Sequence, residues 1–106
     1  MAHYRNDLER VLLKNSAVKR LYLFGSVLTT RFDDQNSDID VLVETSEIPP
    51  DEKGEQLMIL WDELENLFAR KVDLLTENSL RNPILIKQIE QTRKLIYDGQ
   101  TNQIFI

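Results

Sequence analysis

The feature that most constrains this chain is Asp38-Ile39-Asp40-Val41-Leu42-Val43-Glu44, the signature of an apolar strand headed by two acids. Strand alternation puts Asp38, Asp40 and Leu42 on one side and Ile39, Val41 and Val43 on the other. The two carboxylates then stand about 6–7 Å apart along one face. Burying an ionised carboxylate without a partner costs on the order of several kcal/mol, so something has to neutralise this pair. Lys71-Val72-Asp73-Leu74-Leu75-Thr76 repeats the pattern, with Asp73 and Leu75 opposed by Val72 and Leu74. If the two strands are neighbours, three carboxylates converge on one edge of a sheet.

The rest of the composition narrows the chemistry. The 106 residues are enough for one compact domain, 1–106, with little room for a second. There is no cysteine, which excludes disulfides, thiolate metal sites and a cysteine nucleophile. The only histidine is His3, read as an exposed terminal residue, so a histidine relay or metal cluster has almost nothing to work with. Chemistry must rest on carboxylates, hydroxyls and backbone amides. A net charge of -5 disfavours DNA and anionic membrane surfaces as partners. No window is apolar enough for a membrane span, and Met1 to Arg10 lacks the apolar core of a signal peptide, so the expected location is cytoplasmic.

Asn6 or Asp7 can cap a first helix carrying Leu8, Val11 and Leu12, fading near Lys14 to Ser16. Val18 to Phe24 reads as a strand ending at Gly25, Ser26 to Thr30 as a helical turn, and Phe32 to Ser37 as a loop. Ile48-Pro49-Pro50 breaks the chain, and Asp51 opens a long helix with Leu57, Leu60, Trp61, Leu64, Leu67 and Phe68 in one apolar stripe. Within that stripe Trp61 is expected to be a core anchor. Pro83 starts a last helix, with Leu85, Ile89 and Ile96, running to Asp98 with Gly99 as its cap. Residues 100–106 form a tail ending in Ile104-Phe105-Ile106, which either docks on the domain or contacts another chain. The order implies a small α/β (α+β) sheet with helices packed mainly on one face.

Asp33 and Asp34 fit a solvated turn. A calcium loop fails, because Ile39 stands where glycine is needed and Thr45 where glutamate is needed. Asp38, Asp40 and Asp73 have only Arg31 and Lys71 nearby as counter-charges. A hard divalent cation resolves the repulsion, and Mg²⁺ is the usual choice where phosphates complete its shell. Gly25-Ser26 supplies the complement: glycine lets the backbone approach a ligand, and the following amides and the Ser26 hydroxyl can hold an anion. Together these residues suggest a nucleoside triphosphate held by Gly25 and Ser26 and by two Mg²⁺ on Asp38, Asp40 and Asp73, the arrangement of two-metal phosphoryl transfer.

With Gly25-Ser26, Asp38-Ile39-Asp40 and Asp73 in place, the chain resembles the nucleotidyltransferase superfamily that shares the DNA polymerase β palm, in its minimal nucleotidyltransferase branch. The resemblance spans about residues 18–97. It implies that Asp38 and Asp40 bind both metals and that Asp73 completes the metal nearer the acceptor and helps deprotonate it. Gly25 and Ser26 would hold the triphosphate of ATP, with Arg31 as a possible third phosphate contact. Members of this size resemble antitoxins paired with a HEPN-domain ribonuclease toxin, onto whose tyrosine hydroxyl they transfer AMP from ATP. The chain departs from the pattern in its spacer, Val27 to Ser37, which is one residue longer than usual. It also has Thr29-Thr30-Arg31-Phe32 where many relatives carry Arg-Gly.

Three functions follow for comparison. The first is an Mg²⁺-dependent protein adenylyltransferase acting on a partner toxin, and the intact acids favour it. The second is an antitoxin that neutralises by occlusion with a relic site, to which only the altered spacer points. The third is a nucleotidyltransferase with an RNA or small-molecule acceptor; net negative charge disfavours the RNA. The nucleotide preference and the state of homo- or hetero-oligomerisation have no motif in the chain.

Overall fold

The computed structural model describes residues 5–24 and 39–105. The first helix, α1, spans Arg5–Leu13 and buries Leu8 and Leu12, one turn apart. Strand β1 follows over Val18–Phe24, and Asn15 ties the turn between them. The Asn15 side-chain Nδ2 donates to the Gln56 backbone carbonyl at 2.8 Å, and its Oδ1 accepts from the Ala17 backbone amide at 3.1 Å. Strand β2 spans Ile39–Thr45, and the long helix α2 covers Pro50–Phe68. Pro50 opens α2, where its missing N–H is no loss, and Ala69 ends it in a left-handed conformation at φ 53°.

Strand β3 spans Val72–Thr76, α3 spans Pro83–Thr92, β4 spans Lys94–Asp98 and β5 spans Gln103–Ile104. The Asn82 side chain caps α3 by accepting from the Ile84 amide at 2.9 Å. The five strands form one mixed sheet in the order β3-β2-β1-β4-β5. β2 and β3 are parallel, and the other pairs are antiparallel. Parallel neighbours need a crossover, and α2 provides it.

Two apolar layers sandwich the sheet. On one face Leu21, Leu23, Ile39, Val41, Val43 and Val72 pack with Leu8 and Leu12 of α1 and Leu60, Leu64 and Phe68 of α2. On the other, Tyr22, Phe24 and Leu42 pack with Ile89 of α3. The alternation expected for β2 and β3 is present, since Leu42 and Leu75 join the second layer and Val41, Val43, Val72 and Leu74 the first. Among the described residues, two of the three α-helices cover one face, as expected. Each fully buried Leu on that face contributes roughly 1.5–3 kcal/mol relative to an exposed one.

Three expectations need correction. The last helix does not run to Gly99; it stops at Thr92, and Lys94–Asp98 is a strand. Leu95, Ile96 and Tyr97 suit a pleated surface, and the free side of β1 offers them pairing, so tertiary context overrides the helical spacing. Gly99 is therefore not a helix cap. Its N–H donates to the Lys19 carbonyl at 2.7 Å, and a β-carbon there would meet the Val18 carbonyl at 2.9 Å. Trp61 is not a core anchor: it is 39% exposed, while Leu60, Leu64 and Phe68 fill the core. The tail docks on its own domain through β5, where Ile104 pairs with Tyr97 and is buried.

Candidate active site

The register of three strands builds the site. Phe24, the last residue of β1, pairs with Asp40, and Asp40 pairs with Asp73 on its other side. The crossover through α2 returns the chain to the end of the sheet where β2 began, so Ile39 aligns with Val72 and the two acids fall next to each other. Neighbouring strands are about 4.8 Å apart, which sets the spacing of the two α-carbons. Both residues are half-buried and share the face of Leu42 and Leu75.

Gly25, Ser26, Arg31 and Asp38, together with the helical turn and loop expected between them, lie outside the described residues. Gly25 is bonded to Phe24 and Asp38 to Ile39, so two of the four adjoin this row through the chain itself. In the sequence the meeting of these acids was conditional on their strands being neighbours, and the structure makes the strands of Asp40 and Asp73 adjacent and in register.

Oxygen is the only donor type that this pair offers. Among the described residues no group of three or more acids or histidines forms a metal cluster; what is described at the row is a pair. Two carboxylates on adjacent strands, half open to solvent, fit a hard oxygen-seeking cation that keeps waters and phosphate oxygens as its other ligands. Lys71 is a partial counter-charge, its Nζ 3.9 Å from Asp73 Oδ1. At that distance, and with Lys71 mostly exposed and Asp73 half open to solvent, the ion pair is weak and leaves Asp73 open to stronger partners.

α2 grips the strand that carries Asp73. The Trp61 indole Nε1 donates to the Val72 carbonyl at 2.7 Å, and the Val72 amide donates to Glu65 Oε2 at 3.0 Å. The contact depends on where β3 comes to lie beside the helix, which the sequence does not show. The i, i+4 spacing of Trp61 and Glu65 was the only available signal.

Further along the same face lies a second polar group that sequence reasoning also missed. Glu44 accepts from the Tyr22 hydroxyl at 2.8 Å and from Arg20 at 2.9 Å, with Arg93 3.7 Å away and stacked over the Tyr22 ring. Burial pushes the Glu44 carboxyl up, but the hydrogen bonds from Tyr22 and Arg20 and the two guanidinium charges outweigh it and hold the group below its ordinary value. Burial is also the main cause that raises the Tyr22 hydroxyl, seconded by its bond to Glu44. A cavity of about 310 Å³ opens beside this group, lined in part by Leu42, Glu44, Leu80, Ile89 and Arg93. Glu44 is saturated by its partners, which marks the cluster as a tie between β1, β2 and the end of α3.

Residues 6–102 match the family described as polymerase beta, nucleotidyltransferase. This chain belongs to that family. As a nucleotidyltransferase it has relatives in Methanocaldococcus jannaschii provisionally named protein adenylyltransferases MJ1379 and MJ0128. Each is 36% identical over 89 residues, covering 84% of this chain and 85% of the relative. Among solved structures, the fold is similar to a chain in the crystal structure of a toxin–antitoxin with AMP-PNP. That match has a TM-score of 0.62 and 25% identity, over 92% of this chain and 75% of the other. It is also similar to a chain of the Shewanella oneidensis complex of a tri-AMPylated HEPN toxin with an MNT antitoxin. There the TM-score is 0.60 at 22% identity, over 95% of this chain and 75% of the other, a likeness of fold.

Proposed function

We propose that this nucleotidyltransferase is an Mg²⁺-dependent protein adenylyltransferase antitoxin that transfers AMP from ATP to a tyrosine hydroxyl of a cognate HEPN ribonuclease toxin. The observation that carries the reading is the in-register pair Asp40 and Asp73 at the end of the sheet where β1 leads into Gly25-Ser26. The similarity to proteins provisionally named protein adenylyltransferases supports the reaction class. A neighbouring fold with AMP-PNP supports ATP as donor, and one in complex with a tri-AMPylated HEPN toxin supports the acceptor.

In this reading Asp38 and Asp40 hold two Mg²⁺ with Asp73 completing the set, and Gly25, Ser26 and Arg31 hold the triphosphate. Magnesium, when bound, supplies the positive charge that brings the acceptor oxygen and the triphosphate together. Asp73 orients the tyrosine hydroxyl and accepts its proton. The tyrosine oxygen bonds to the α-phosphorus, the bond from that phosphorus to its β-bridging oxygen breaks, and pyrophosphate leaves. The reaction belongs in the cytoplasm, where ATP is.

Incubating the protein with Mg²⁺, ATP and its HEPN partner should add one or more AMP masses to the partner, on tyrosine. The double variant D38A/D40A should add none. A wild type that neutralises the toxin without ever modifying it would instead make this a binder acting by occlusion.

A further inference from the structure

Asp73 sits on an edge strand, one residue beyond the point where α2 holds that strand. The Ile39 amide donates to the Lys71 carbonyl at 3.0 Å, so the main-chain groups of Lys71 and Asp73 face β2. By alternation, those of Val72 face outward, away from the sheet. Outward groups on an edge strand have no ladder partner. At Val72 both are taken, the carbonyl by the Trp61 indole and the amide by the Glu65 carboxylate.

We propose that Trp61 and Glu65 are positioning residues for Asp73, holding the start of β3 in register so that the Asp73 carboxylate stays beside that of Asp40. The inference rests on the reading of Asp40 and Asp73 as metal-holding acids. Packing alone does not explain Trp61, which is 39% exposed while its helix neighbours Leu60 and Leu64 are fully buried. Nor does it explain a glutamate whose carboxylate is turned onto a backbone amide. The two side chains lie one turn apart on α2 and converge on a single residue, which is how a helix can clamp a strand.

Register is the property at stake. A slip of one residue would carry Asp73 to the face of Val41 and Val43 and bring Val72 to the site. The β2–β3 pair is parallel and at the edge, the weaker kind of pairing. Val72 also belongs to the main core layer with Ile39 and Phe68, so its burial holds the strand alongside the clamp. Losing the clamp therefore loosens the site without unfolding the domain.

The test uses the whole protein and Mn²⁺ as a paramagnetic probe, titrated by EPR in the presence of a non-hydrolysable ATP analogue. W61F keeps the ring and loses the donor; E65A loses the acceptor, and E65Q keeps one. W61F and E65A should weaken Mn²⁺ binding roughly tenfold, the scale expected when a residue supporting a metal ligand is lost. E65Q should stay near wild type. In the metal-free protein, amide hydrogen exchange should rise at Val72 and its neighbours in W61F and E65A and not elsewhere. I104A, on the opposite edge at β5, serves as a destabilised control and should leave Mn²⁺ binding unchanged. Unaltered Mn²⁺ binding in both clamp variants, or equal weakening in I104A, overturns the proposal while the function stands. A wild type that neither binds Mn²⁺ nor transfers AMP overturns the functional reading, and the clamp's role with it.

Discussion

Asp40 and Asp73 are register partners on adjacent parallel strands, so two carboxylates stand side by side at one end of the sheet. Nothing in the hydrophobic pattern of either strand requires this, and their mutual repulsion opposes it. Natural sheets avoid like charges directly across from each other unless a third group compensates. Lys71, 3.9 Å from Asp73 and well exposed, is a weak compensation. The repulsion between the two carboxylates works against this arrangement, and in the proposed reading a bound cation would relieve it.

That opposition gives the first prediction. Asp73→Asn should abolish adenylyl transfer yet make the metal-free protein more stable, by up to about 1 kcal/mol, the scale of a relieved like-charge pair across strands. Adding Mg²⁺ should raise the melting temperature of wild type and leave that of the variant almost unchanged. Thermal unfolding with and without Mg²⁺ measures both. Equal stabilisation of the two proteins by Mg²⁺ would remove Asp73 from the metal site.

What the sequence made legible was local and periodic. β2 and β3 could be read because alternating apolar residues leave their acids on one side, and α2 because Leu57, Leu60, Leu64 and Phe68 recur at helical spacing. β4 could not be read: Leu95, Ile96 and Tyr97 follow a helix without a strong break, and only the open side of β1 makes them a strand. The fate of Trp61 was equally hidden, since an indole on an apolar stripe looks like core until β3 is placed beside it. The candidate site was legible as residue types, whereas the Asp40–Asp73 register and the clamp on Val72 are relations between distant segments. Phosphate roles for Gly25, Ser26 and Arg31 rest on the sequence.

The two described glycines should respond to alanine in opposite directions. At Gly99 an added β-carbon would lie 2.9 Å from the Val18 carbonyl and 3.0 Å from that of Lys19, both fixed at the start of β1. Gly99→Ala should therefore cost about 1–3 kcal/mol, as overpacking against rigid backbone does. At Gly54, exposed within α2, nothing lies within 4 Å of the same atom. Gly54→Ala should stabilise by about 0.5–1 kcal/mol through helix propensity. Urea unfolding of the two variants checks the signs, and a neutral Gly99→Ala would mean that the β4–β5 turn can move.

Glu44 makes the fold sensitive to acid. Burial works against its charge, but Tyr22, Arg20 and Arg93 hold its carboxyl below the ordinary value of 4.5. A folded value lower than the unfolded one contributes stability that is present above about pH 4.5 and lost as pH falls through the folded value. Glu44→Gln should cost on the order of 1–2 kcal/mol at neutral pH, the scale of a hydrogen bond to a charged group. The gap between variant and wild type should narrow steadily below pH 4.5, because both then carry an uncharged side chain there. Urea unfolding at neutral pH and at a series of points below that value measures the gap. A gap that stays constant down the series would show that the Tyr22 and Arg20 contacts hold the amide and the acid equally well, and that acid sensitivity lies elsewhere in the fold.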